Sequence, residues 1–191
     1  MSGVVRRTVF AVGSVVVAVV ALGGSATAAS SPAGTSRAPG SARAVVAQTA
    51  SRAVFTVGGD VARPMRLTVS DLRRRWPRQG ETVRFGSEVG TQRHTYRGAL
   101  LTDVLTSAKP RFDAAVKNDP LRFAVRVGAT DGYAAVVSWG EVDPAFGGTR
   151  VLLAVSEDHK PLTRPRLVVP GDLKGGRYVS DVNSVRLRRV W

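Results

Sequence analysis

The chain has 191 residues and a formal net charge of +14, with 24 arginines among its 28 basic residues. It contains no cysteine, which excludes disulfides, thiol nucleophiles, zinc–thiolate centres and any protein thiolate on another metal. Two histidines, His94 and His159, are too few for a metal site built mainly of imidazoles, while 43% apolar residues suffice for a packed core.

Residues 1–29 read as a targeting segment: Arg6-Arg7 make a charged start, Thr8 to Leu22 is apolar, and Ala26-Thr27-Ala28 offers a small-x-small cleavage pattern. The chain is therefore expected to be exported, to the periplasm, the cell surface or the medium. Cleavage near Ala28 or Ala29 and retention as an uncleaved anchor are both open, as is the export route, since Arg6 to Phe10 also resembles a twin-arginine signal. Residues 30–53 are rich in Ala, Ser, Gly, Pro and Thr without a period and read as a flexible linker. The folded domain is expected over 54–191.

Within it, Val54 to Val57 reads as a strand, Gly58-Gly59-Asp60 as a turn and Met65 to Val69 as a second strand. Ser70-Asp71 is expected to cap a short helix, Leu72 to Trp76, whose arginines form a solvated face. Strands are expected at Thr82–Gly86 and Arg93–Tyr96. The clearest helix is Leu100 to Ala108, where Leu100, Leu101, Val104, Leu105 and Ala108 make one apolar stripe. Leu121 to Val127 alternates as a half-exposed strand, Asp131-Gly132 signals a hairpin, and Tyr133 to Val137 returns from it. Glu141 to Phe146 reads as a helical turn and Val151 to Val155 as a strand buried on both faces, with Asp158 to Pro161 as its turn. Strands dominate without a repeating strand–helix alternation, so the fold class is α+β, with mixed or antiparallel sheets and a few short helices.

The stretch from Pro165 to Leu187 carries the most chemistry. Leu167-Val168-Val169 is an apolar run stopped by Pro170-Gly171, and Asn183 to Val190 resumes as a strand. Between them Gly171, Gly175 and Gly176 leave backbone uncovered beside Arg177, an arrangement that serves equally as an anion cradle or as a plain turn. Arg177 is the strongest candidate for an anion contact, because a guanidinium matches phosphate bidentately. The basic balance favours anionic partners: phosphates, lipid headgroups or an anionic cell-surface polymer. No nucleic-acid motif accompanies it, and aromatic residues are only 6%.

Taken in order, Gly59-Asp60 with Arg63-Pro64, Leu67 to Leu72, Tyr96-Arg97-Gly98, Ala129 to Tyr133, Leu152-Leu153-Ala154, Lys160-Pro161-Leu162 and Arg166 to Asp172 form a recognisable series. The series resembles the molybdopterin-binding domain of the sulfite oxidase family in its small exported bacterial form, over roughly residues 54–189. The resemblance implies the sulfite-oxidase-type fold, a pterin held by loops at one end, and oxidoreductase chemistry by oxygen-atom or electron transfer. Cofactor contacts are then expected from His94, Asp131, Tyr133, Gly171, Asp172, Gly175, Gly176 and Arg177. The sequence departs from the family where a cysteine thiolate would bind molybdenum; that stretch falls near Val83 to Arg93, where only Ser87, Glu88 and Thr91 offer oxygen donors. A lysine of the closing stretch is also missing, its place lying in Tyr178 to Asp181. No catalytic residue is singled out: Glu141 and Asp143 lack a partner in the sequence, and Trp139 serves as readily in a core as in a pocket. Two functions follow: a molybdopterin-type oxidoreductase or cofactor-binding relative with an electron-transfer partner, or a non-enzymatic extracellular module that kept the fold, lost the metal and binds a small anion, a surface polymer or a partner protein.

Overall fold

The computed structural model describes residues 53–191. The targeting segment and nearly all of the linker lie outside the described residues. Nine strands and three short helices follow one another: β1 (Val54–Gly59), β2 (Met65–Thr68), α1 (Val69–Arg75), β3 (Gln79–Ser87), β4 (Gly90–Leu100), α2 (Leu101–Ser107), β5 (Phe123–Ala129), β6 (Ala134–Ser138), α3 (Trp139–Val142), β7 (Leu152–Glu157), β8 (Lys160–Val168) and β9 (Val182–Arg189). Single 3-10 turns stand at Asp119–Arg122 and Gly175–Arg177. Among the described residues no helix is long and apolar enough to cross a membrane.

The strands form a mixed five-stranded sheet, ordered β2-β1-β9-β5-β6, and an antiparallel four-stranded sheet, ordered β3-β4-β7-β8. Only β1 and β9 run parallel, Val57 facing Val185. The period-two pattern turns Phe55 and Val57, then Phe123, Val125 and Val127, then Val185 and Leu187 into one core with Leu152, Leu153 and Leu167 of the second sheet. Burying each such side chain stabilises the fold by about 1.5–3 kcal/mol before conformational entropy is charged against it.

Two glycines are set by close approach. Gly59 has φ +94°, and a Cβ there would stand 2.0 Å from the carbonyl oxygen of Leu187. At Gly98 a Cβ would stand 2.2 Å from the carbonyl oxygen of Leu153, next to a bulge in the β4–β7 ladder.

Two sequence expectations need correction. Helix α1 is capped by Thr68 rather than Ser70-Asp71: the Thr68 hydroxyl accepts from the Asp71 amide at 3.1 Å, and the Asp71 carboxylate accepts from the Thr68 amide at 2.9 Å. Thr68 is the last extended residue, which frees its hydroxyl for the third helical amide. Strand β8 begins at Lys160, long before Leu167, because the turn is only Asp158-His159, both with left-handed φ of 47° and 65°. Pro161 and Pro165 disguise it; they are tolerated because β8 is an edge strand. The arginines of α1 are exposed, as a solvated face requires, but they part company: Arg74 pairs with Asp71, whereas Arg73 donates to the carbonyl of Val155 at 2.9 Å.

Asp119, fully buried, is the only buried charged side chain among the described residues. It accepts from the Asp113 amide at 2.8 Å, from Arg189 at 3.1 Å and from Arg122 at 3.4 Å, tying the loop before β5 to the end of β9.

Candidate functional site

The loop between β8 and β9 starts where Gly171, at φ +94°, turns the chain away from Val169. It then runs beside the end of β3: the Gly86 amide donates to the Leu173 carbonyl at 2.8 Å, and Gly86 bridges to Lys174. The ring of Phe85 fixes the next residue, because a Cβ on Gly175 would stand 2.9 Å from it. Gly176 has open space where its Cβ would be. Between hairpin and loop lies an open depression of 610 Å³, lined by Phe85, Gly86, Ser87, Glu88, Lys174, Gly175 and Gly176.

Most of the expected contact residues converge on this loop from behind. Arg177 donates to both oxygens of Asp172, at 2.9 and 2.5 Å, and to Glu141 at 3.0 and 3.1 Å. These carboxylates hold its pKa above the ordinary range, Asp172 contributing most. The guanidinium proposed from sequence for an anion is thus already occupied. Glu141, which has no partner legible in the sequence, is its second carboxylate. Tyr133, half-exposed, donates its hydroxyl to the carbonyl of Gly176. Asp131 accepts from the Tyr133 amide at 2.9 Å and so shapes the β5–β6 hairpin. Trp139 and Asp143 belong to the core side: the indole is buried and donates to Asp143 at 2.7 Å.

His94 stands apart from that cluster, on β4, with Phe85 between it and the loop. Its ring stacks on Phe85 at 6.0 Å, and Phe85 meets Tyr178 edge-on at 4.7 Å. Nδ1 of His94 lies 2.7 Å from Asp158 and 3.3 Å from Glu157. The three could cluster round a cation, yet each carboxylate already has donors. Glu157 accepts from Tyr96 at 2.8 Å and from Arg166 at 2.7 Å, and Asp158 accepts from the Thr95 amide at 2.8 Å. The Arg166 charge beside Glu157 also opposes a cation there. Burial, then the bond to Glu157, pushes the Tyr96 phenol well above its ordinary value; burial and then the Asp172 charge raise Tyr178. The Tyr178 hydroxyl and Nε of Arg166 are buried without a protein partner.

Sequence reasoning missed Phe85, Lys174, Tyr96, Glu157 and Arg166. The alternation along β3 and β4 was the available signal: Val83 faces His94 across the ladder, and Phe85 and His94 then share a face.

The groups present fit one part of a molybdopterin and not the other. Glycine backbone, the Lys174 ammonium and the Phe85 ring suit a flat heterocycle carrying a phosphate. A protein-held molybdenum does not fit. Ser87 donates its hydroxyl to the Gly90 carbonyl at 2.9 Å, Glu88 and Thr91 are exposed on the hairpin, and Phe85 occupies the inward position next to the loop.

No protein-family model matches the chain, and no curated protein matches it in sequence. Among solved structures it is similar to the sulfane dehydrogenase SoxCD from Paracoccus pantotrophus, with a TM-score of 0.58 and 20% identity over 73% of this chain. The match spans 39% of that longer chain. The likeness establishes the fold, the sulfite-oxidase-type α+β architecture of mixed and antiparallel sheets.

Proposed function

We propose that this protein binds a pterin-type ligand, flat and anionic, in the depression between the β3–β4 hairpin and the glycine loop, as a cofactor-binding relative of molybdopterin oxidoreductases. One observation carries the reading: the aromatic residue Phe85, three glycines and Lys174 line the same open depression. The shared fold with a sulfane dehydrogenase supports it. A molybdenum-loaded pterin supplies oxygen-atom transfer in such folds, and this chain has no thiolate to hold the metal. Its own residues do something narrower. Lys174 neutralises a phosphate, Phe85 stacks or shields the heterocycle, and the Arg177–Asp172–Glu141 clamp keeps the loop in shape. Binding is the activity this set supports; export is inferred from residues 1–29.

The test is to express the full chain with its own N-terminal segment in a host that makes the cofactor. Extracted pterin and metal are then measured per chain. Pterin with molybdenum far below one per chain, reduced by Lys174→Gln, is the expected outcome. No pterin would sink the reading, and one molybdenum per chain would sink its metal-free part. A second reading, a non-enzymatic module for small anions, is favoured by arginines that have no carboxylate partner.

A further inference from the structure

Helix α1 ends in three arginines that go to two places. Arg74 and Arg75 turn to Asp71, at 2.9 and 3.6 Å. Arg73 crosses to the second sheet and donates from Nη2 to the Val155 carbonyl. That carbonyl is available because both ladders of β7 slip here, between Arg97 and Gly98 on one side and between Ala154 and Ser156 on the other. Val155 is the extra residue of a bulge, and the bulge re-aims its backbone.

Around this point lies a depression of 310 Å³, whose polar lining is Arg73, Arg78, Arg97, Ser156 and His159. The two-residue turn at Asp158-His159 sends its side chains apart. Asp158 goes to His94 and the Thr95 amide, and His159 lines the depression with the arginines.

Several arginines of the fold are answered by carboxylates: Arg150 by Glu81, Arg166 by Glu157, Arg177 by Asp172, Arg189 by Asp119. Among the described residues, Arg73, Arg78 and Arg97 form no ion pair. Burial, and then the charge of Arg78, hold the Arg73 pKa below its ordinary value, so like charges face one another here. No Phe, Tyr or Trp side chain lines the depression.

We propose that this depression, at the bulge of β7, binds a tetrahedral dianion. The ligand class is phosphate or sulfate, free or as the terminal group of an ester. Arg73 is fixed in place by Val155, Arg78 and Arg97 close on the oxyanion with planar guanidinium donors, and the Ser156 hydroxyl adds a neutral one. The dianion also relieves the repulsion among the arginines.

Calorimetric titration of the full-length chain with inorganic phosphate tests this at low ionic strength. Saturable one-site binding is expected, weakened about tenfold or more in Arg78→Gln/Arg97→Gln. The control variant Arg126→Gln/Arg186→Gln removes the same charge from a facing pair on the other sheet and is expected to change affinity by less than about twofold. The first variant should melt no lower than the parent in phosphate-free buffer. Tighter binding of glycerol phosphate than of phosphate assigns the ester, and the reverse assigns the free ion. Absence of saturation, or equal weakening in both variants, overturns the proposal.

Discussion

Arg177 holds Asp172 through two parallel hydrogen bonds, 2.9 and 2.5 Å long, five residues back along the same loop. With Glu141 as a second acceptor, the guanidinium is a clasp that closes the glycine loop onto helix α3. Its side chain is 37% exposed, so solvent screens the pairs. Arg177→Ala is expected to cost about 1–2 kcal/mol in urea unfolding. Faster amide exchange should be confined to residues 171–178. Arg177→Lys should recover little, because an ammonium cannot make the fork.

Phe85 and Gly175 are expected to be coupled. Gly175→Ala forces a methyl against the ring and should cost about 1–2 kcal/mol. Phe85→Ala should cost about 2 kcal/mol through lost contacts with Tyr178 and His94. The double variant should then be less destabilised than the sum, since the methyl enters space the ring vacates. Additive losses would show that the two do not compete for that space.

Asp119→Ala strands the Asp113 amide and removes the shared acceptor of Arg122 and Arg189. A loss of about 3 kcal/mol is expected, read from the urea midpoint at unchanged slope. A loss below about 1 kcal/mol would mean that water replaces the carboxylate without penalty.

Two carboxylates set the acid side of the stability curve. Asp71 is held below its ordinary value of 3.8 chiefly by the Thr68 hydroxyl, and Asp158 chiefly by the Thr95 amide and then His94. Each folded-state pKa is depressed, so each contribution is complete above the unfolded-state value of 3.8 and is lost as pH falls through the lower folded-state value. The melting temperature should therefore drop below about pH 4, and Asp158→Asn should make that drop shallower. An unchanged acid limb would remove Asp158 from the account.

The strands were legible where one face is buried, because alternation alone marks Phe55 and Val57 or Phe123, Val125 and Val127. Strand β8 was not, since prolines are read as breaks until the sheet order shows the strand at an edge. The glycine loop was legible from its composition. The occupation of Arg177 was not, because Glu141 lies 36 residues away and only the fold brings it near. The Arg73 depression was hidden for a similar reason: three neighbouring arginines look alike in sequence, and a bulge five strands later separates them.

The prolines of β8 also decide what can join the second sheet. An exposed edge offers amides and carbonyls to any extended chain, including another copy of this one. At Pro161 and Pro165 that edge has no hydrogen to offer, so an arriving strand would meet gaps in the ladder. Self-association by strand addition is discouraged on that side, where the Leu167 amide is also taken up by the Val179 carbonyl. A partner that docks as a strand would find the opposite edge, β3, the better template, next to the glycine loop.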